Sequence, residues 1–315
     1  MNKVLITSRS FSSGAIDLVA QLKAANLEPI FADSKHDSEE LASELPTCIA
    51  WIAGTSKISS DLLDLAPNLK VIARYGVGFE SVDLAAAKER GIVVTNTPGA
   101  NSLAVAELTI GLALDALRAI STSADHVRSA NWAVIRGKQL EGSVVGIVGF
   151  GRIGRILATK FKALGCQIWI SDPFVDSKEI SSAGFTAKSL AEISAGANIV
   201  SLNAPGDGAI VDQSWISGAI AGQVIINSAR AELVDESAIA DGLRSQKIFA
   251  YAADTLQGEK NSANSPLMAS DIADKVTITA HLGAQTIEAI DLMGSMATAN
   301  VLAILAGKPA INLVN

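Results

Sequence analysis

The sequence predicts an α/β protein built on doubly wound parallel sheets, and three observations carry that prediction. Short β-branched runs alternate with longer amphipathic stretches almost to the end of the chain. Several of the runs are continuously apolar, as strands covered by helices on both faces must be. A glycine-rich turn, Gly149-Phe150-Gly151-Arg152-Ile153-Gly154, lies between one such run and a helical stretch, the place where doubly wound sheets receive their ligands.

The runs fall into two series. The first covers 3–7, 29–32, 48–53, 70–73 and 92–96, and the second covers 144–149, 167–171, 199–202, 224–227, 249–252 and 276–279. Helical spacing fills the gaps, as in Leu18, Leu22 and Ala25, or Leu157, Phe161 and Leu164. Between the series, one long helical stretch starts near Asn101 and continues past Arg118, with Asn101-Ser102 suited to cap its free N–H groups. It reads as the element that carries the chain from the first sheet to the second. A last helix over 286–305 stops at Gly307-Lys308-Pro309, where glycine takes the left-handed cap and proline cannot continue. The apolar tail 310–314 is expected to return to the first domain.

Composition narrows the class. The 315 residues are 49% apolar and 18% charged, which excludes a disordered chain. Net charge is −7, and no run of Lys and Arg exceeds two neighbours, so nucleic acid is not an expected partner. The two cysteines, Cys48 and Cys166, sit in apolar runs and suit a reducing compartment rather than a disulfide framework. No unbroken apolar stretch approaches the roughly 18 residues of a bilayer span, and the start lacks a signal peptide's apolar segment. A soluble cytoplasmic protein with neither membrane partner nor metal site is therefore expected.

Gly149, Gly151 and Gly154 form G-x-G-x-x-G directly after an apolar strand and before a helix. The first glycine permits the tight turn, the second a close approach to a pyrophosphate, and the third close packing of helix on strand. The next strand ends at Asp172, 18 residues after Gly154. An acid there can accept from both ribose hydroxyls and would repel a 2′-phosphate, which favours NAD over NADP.

Three histidines are present. His36 lies in a polar stretch and is expected to be a solvated loop residue, and His126 lies on a polar helix face. His281 differs, because it ends the apolar strand 276–280. Two further strand ends carry charge: Arg230 after 224–229, and Asp254 after 249–253 with Glu259 five residues on. Oxidation of an alcohol by NAD needs a base for the hydroxyl proton, and histidine titrates near neutrality and serves in both directions. A neighbouring Glu would orient its ring. Arg can hold a carboxylate by paired hydrogen bonds and polarise the adjacent carbonyl. The trio points to a 2-hydroxy or 2-keto acid.

These motifs resemble the D-isomer-specific 2-hydroxyacid dehydrogenase family over the whole chain, with features of its phosphoglycerate-dehydrogenase-like branch. The resemblance is carried by Arg74-Tyr75-Gly76-Val77-Gly78, by Asn101 with Val105-Ala106-Glu107, and by the glycine loop with Asp172. It continues in Ile226-Asn227-Ser228-Ala229-Arg230 with Leu233-Val234-Asp235-Glu236, in Asp254 with Glu259, and in His281-Leu282-Gly283-Ala284. It implies a Rossmann NAD-binding domain over 99–284, inserted into a flavodoxin-like substrate domain made of 1–98 and 285–315. It implies a catalytic trio of Arg230, Glu259 and His281, with Arg230 also binding substrate. The N–H groups of Val77 and Gly78 would hold the substrate carboxylate, and Arg74 would add a cation suited to an anionic acid such as 3-phosphoglycerate. Arg152, Ile153, Asp172, Pro205, Ser228, Ala229, Asp254 and Gly283 would join the three loop glycines around the cofactor. It further implies a homodimer through the NAD-binding domain, with the long helix and the arm around Trp132 at the interface.

The chain departs from the family pattern at Ala231-Glu232, where glycines are usual, at Lys260 after Glu259, and at Asn203, where many members have His. Two other readings stay open: a non-enzymatic NAD(H) sensor, disfavoured by the intact trio, and a formate- or phosphite-type dehydrogenase. Glu259 weighs against formate, for which Gln is usual in that position.

Overall fold

A computed structural model describes residues 2–206 and 208–315. The chain forms two compact units, one from 1–101 with 284–315 and the other from 102–283.

The first unit alternates β1 (Asn2–Ile6), α1 (Leu18–Ala24), β2 (Leu27–Phe31), α2 (Ser38–Leu41), β3 (Cys48–Ala53), α3 (Ser60–Asp64), β4 (Val71–Arg74), α4 (Leu84–Glu89) and β5 (Val93–Thr95). Its strands form one parallel sheet in the order β2-β1-β3-β4-β5, a flavodoxin-like arrangement. The continuous apolarity of the strands has a direct cause. Leu5, Trp51, Ile72 and Val94 enter the core on one face with Leu62, Leu63 and Ala87. Val4, Ile6, Ile52 and Val71 enter the core on the other face with Leu18, Leu22, Met293 and Val301.

The second unit opens with α5 (Ser102–Arg118) and α6 (Ile120–Arg128). It continues as β6 (Val144–Val148), α7 (Arg152–Ala163), β7 (Gln167–Ser171), α8 (Ser177–Ser182), β8 (Thr186–Ala187), α9 (Leu190–Gly196) and β9 (Ile199–Leu202). It ends with α10 (Gln213–Gly218), β10 (Gln223–Asn227), α11 (Glu236–Arg244), β11 (Ile248–Ala253) and β12 (Val276–Ile278). All seven strands are parallel, in the order β12-β11-β10-β9-β6-β7-β8. The order reverses beside β6, which places the glycine turn at the switch point. Val145, Ile147, Val224 and Ile226 pack on one face, and Val148, Val200, Ile225 and Tyr251 on the other.

The chain then returns to the first unit as α12 (Ile287–Leu305), capped by the Thr286 side chain and followed by Gly307 at φ 69°. The tail pairs with β5 as expected: Leu313 bridges Thr95, and Val314 N–H donates to Val94 O. By length and composition α12 could cross a bilayer; here Met293, Ala297 and Val301 face the core of the first unit.

Four expectations need refinement or correction. The helical stretch expected to continue past Arg118 does so as two helices, broken at Ala119, which takes φ 49°, and Asp115 on α5 then accepts from the N–H and hydroxyl of Ser121 in α6. The expected Asn101 cap does not form, since its Oδ1 has no partner among the described residues. The edge strand β8 was not expected, because two residues give no apolar run to read.

The fourth is His36, which is buried rather than solvated. Its Nδ1 donates to Lys57 O at 3.2 Å, and its Nε2 accepts from Thr7 Oγ1 at 2.7 Å. Thr7 Oγ1 in turn accepts from Trp51 Nε1 and Gly54 N. Desolvation lowers the His36 pKa, and Arg74 lowers it further. A polar sequence neighbourhood hid a side chain that closes a buried network of the neutral ring.

Candidate active site

Gly149 has φ 97°, and a Cβ there would come within 2.6 Å of Asn203 O. A Cβ on Gly154 would collide with the Gly149 carbonyl oxygen, while one on Gly151 would meet nothing within 4 Å. The loop is thus closed where it packs and clear where a ligand would lie. Gly151 is the N-cap of α7 and supplies no side-chain cap, so the first N–H groups of a 12-residue helix are left for an anion. Arg152 is exposed and Ile153 half-buried at that helix start.

Asp172 follows β7, accepting from Phe150 N at 2.6 Å and from Phe174 N at 2.8 Å. The same carboxylate that would meet a ribose therefore also fixes the glycine turn. Pro205 is exposed after β9. Ser228 and Ala229 follow β10; Ser228 Oγ lies 2.6 Å from Thr109 Oγ1, and Ala229 N donates to Asn227 Oδ1.

Arg230, Glu259 and His281 lie beyond the carboxyl ends of three adjacent strands, β10, β11 and β12. Arg230 is half-buried; its Nη1 donates to Ala229 O, and its own carbonyl accepts from Asn227 Nδ2. Glu259 begins a 3-10 turn after Gly258, which has φ 71°. His281 Nδ1 lies 2.8 Å from Glu259 Oε1, the side chains being 50% and 56% exposed. A carboxylate can only accept here, so Nδ1 carries the proton and Nε2 is the nitrogen left to face a ligand.

His281 itself has φ 56°, an unfavourable region for a residue with a Cβ. Asp254 holds it there. This carboxylate is 2% exposed, and its Oδ1 accepts from Thr279 Oγ1 at 2.6 Å and Leu282 N at 2.7 Å. Its Oδ2 accepts from Gly283 N at 2.7 Å. Asp254 and Gly283, expected to line the cofactor site, are hydrogen-bonded to each other and fix the loop that carries His281.

Arg74, in the first unit and expected to offer a cation to substrate, is held by two of its nitrogens within its own unit. It is 3% exposed, donating from Nη1 to Ala53 O at 2.7 Å and from Nε to Gly78 O at 3.1 Å. Burial pushes its guanidinium down to about 10, partly offset by Glu80. Thr97 N and Asn96 Nδ2 hold the Gly76 and Val77 carbonyls in the same way. With all three carbonyls turned inward, the N–H groups of Val77 and Gly78 have no partner among the described residues. Asn96 and Thr97 escaped the sequence reading because short polar residues after a strand look like any loop.

The fold and the glycine turn define an α/β protein whose second unit is a dinucleotide-binding Rossmann domain. Residues 110–283 match the family model described as D-isomer specific 2-hydroxyacid dehydrogenase, NAD binding domain, and the chain belongs to that family. It is 31% identical over 283 residues to D-3-phosphoglycerate dehydrogenase of Archaeoglobus fulgidus, covering 88% of this chain and 53% of the relative. It is also 31% identical to hydroxypyruvate reductase of Thermotoga maritima, covering 87% of this chain and 90% of that one. A crystal structure of a Thermus thermophilus protein superposes with TM-score 0.90 at 29% identity, covering 99% of this chain and all of that one. The chain spans about half the length of the D-3-phosphoglycerate dehydrogenases it matches.

Proposed function

We propose that this chain is an NAD-dependent dehydrogenase interconverting a D-2-hydroxy acid and its 2-keto acid. The observation that carries the reading is the 2.8 Å contact between His281 Nδ1 and Glu259 Oε1 at the carboxyl ends of the cofactor-binding sheet. A dinucleotide held by the Gly149–Gly154 loop and Asp172 would supply the hydride chemistry at the 2-carbon of the acid. His281 gives the Nε2 proton to the carbonyl oxygen as it becomes a hydroxyl and recovers it in the reverse direction. Glu259 fixes the ring so that Nε2 faces the reacting oxygen. Arg230 pairs with the carboxylate and polarises the keto group. Gly149, Gly151, Gly154, Arg152 and Ile153 serve the pyrophosphate, and Asp172 selects NAD by accepting from the ribose hydroxyls. Pro205, Ser228 and Ala229 serve the nicotinamide end.

In the first unit, the unpartnered N–H groups of Val77 and Gly78 suit a carboxylate. Arg74 spends Nη1 and Nε on Ala53 and Gly78, which leaves one edge of its guanidinium for an anionic acid, phosphorylated or not. A homodimer is supported by the exposed apolar side chains Leu114, Ile120, Val127, Trp132 and Val134 along α5, α6 and the following arm. Two buried free cysteines fit a cytoplasmic setting.

The test is NADH oxidation with hydroxypyruvate, glyoxylate, pyruvate and phosphohydroxypyruvate, with NADPH as control. Turnover of one of these acids with NADH, lost in His281→Asn with NADH binding retained, is the expected result. Tight NADH binding without turnover across the panel would replace this reading with a sensor.

A further inference from the structure

The His281–Glu259 pair is half-exposed on both sides. A solvent-facing ion pair contributes about 0–1 kcal/mol and cannot hold two loops in register by itself. The alignment must come from below, through the backbones that carry the two side chains. On the His281 side the device is Asp254, which grips Thr279, Leu282 and Gly283 around it.

The Glu259 side has an equivalent in a residue to which the sequence assigns no role. Glu236 is the first residue of α11 and is 7% exposed. Its Oε1 accepts from Gln257 N at 2.8 Å, and its Oε2 accepts from Ser265 Oγ at 2.6 Å. Gln257 and Ser265 lie on either side of Glu259, so one buried carboxylate pins both ends of the segment that presents it. Ser265 Oγ also accepts from Leu267 N, and Leu267 is buried, which ties the far pin to the core. Asp235 already caps α11 by accepting from Ser237 N and Ala238 N, so Glu236 is not needed as the cap. Its charge lies at the positive end of the helix, which offsets part of the cost of burying a carboxylate. In the sequence Glu236 stands only as part of a family motif, and the tertiary structure reveals where its carboxylate points.

We propose that Glu236 is a positioning residue, which holds Glu259 against His281 by clamping the segment 257–265 from beneath. The inference rests on the dehydrogenase reading above and adds to it a second buried carboxylate, paired in function with Asp254. Glu236 touches neither reacting atoms nor cofactor in this assignment; it acts through Glu259.

The experiment compares Glu236→Ala in the wild-type and Glu259→Ala backgrounds, using the full chain with NADH and its best keto acid. In the wild-type background kcat should fall about tenfold to a hundredfold, as expected of a misplacement near 1 Å, with the KM for NADH little changed. In the Glu259→Ala background the same substitution should change kcat less than about twofold, since positioning a missing side chain has no consequence. An equal loss in both backgrounds would overturn the proposal and leave Glu236 a purely structural residue. Ser265→Ala, which removes one pin and preserves the charge, should give a smaller fall with the same dependence on Glu259, and it decides the matter if Glu236→Ala does not fold. Amide hydrogen exchange supplies a readout independent of turnover: exchange over 257–265 should quicken in the Ser265 and Glu236 variants while β11 stays protected. Unchanged exchange would refute the clamp whatever the activity. Inactivity of the wild type with every keto acid, beside quickened exchange, would instead remove the dehydrogenase reading and leave the clamp standing.

Discussion

Replacing Asp254 by Asn exchanges one carboxylate oxygen for an NH2 group and should be among the most damaging conservative changes in the chain. The carboxylate accepts from three donors, Thr279 Oγ1, Leu282 N and Gly283 N. Asn keeps one oxygen, which can stay with Thr279 and Leu282, but its amide then faces the buried Gly283 N–H, donor against donor. An unsatisfied buried N–H costs about 1–3 kcal/mol, and each remaining bond loses its charge assistance, about 1 kcal/mol apiece. The sum is about 3–5 kcal/mol. For a unit of this size, 1 kcal/mol moves a melting midpoint by about 2–4 °C, so thermal unfolding of the second unit should fall by about 6–20 °C. Differential scanning calorimetry of wild type and variant measures it directly. The loss should be accompanied by a fall in kcat, because the freed loop no longer holds His281 at φ 56°. A variant that melts within about 1 °C of wild type would refute the bookkeeping, and one that keeps full turnover would refute the link from Asp254 to His281.

Further outcomes follow from the same geometry. Asp172→Ala should raise the NAD Kd about tenfold or more by removing charge-assisted acceptors and should narrow the preference over NADP, both readable by isothermal titration; unchanged selectivity would exclude the ribose role. Gly149→Ala forces a side chain into positive φ and against Asn203 O, so NADH binding should be lost together with about 2–4 kcal/mol of stability in urea unfolding. His36 is stable as the neutral ring, with its pKa lowered from 6.5. The unfolded chain then binds the extra proton first, so stability is complete above pH 6.5 and declines as pH falls below it. His36→Gln should flatten that decline in urea midpoints measured between pH 7 and pH 5; an unchanged slope would show that other groups cause it.

Much of this protein is written in its local sequence. The alternation of apolar runs and amphipathic stretches determined the two parallel sheets, because strands buried on both faces are mostly apolar. The glycine spacing determined the cofactor turn, because only glycine tolerates φ 97° at Gly149 and the close packing at Gly154. Strand ends that abut a charge determined Arg230, Glu259 and His281 as candidates, since parallel α/β sheets bring such ends to one edge.

Only the tertiary structure decided what the remaining polar residues do. His36 looks like a surface group in its polar neighbourhood, and the burial of Arg74, Asp254 and Glu236 has no local signal either; all four are buried. Their partners lie well away in the chain: His36 contacts Thr7 and Lys57, Arg74 contacts Ala53, Asp254 contacts Gly283, and Glu236 contacts Ser265. Local patterning reports which face of an element is apolar, but it carries no signal of which distant backbone donor a carboxylate or guanidinium will meet. A buried charge is tolerable only when such donors or acceptors converge on it, and that convergence exists only once the loops have folded onto their sheets.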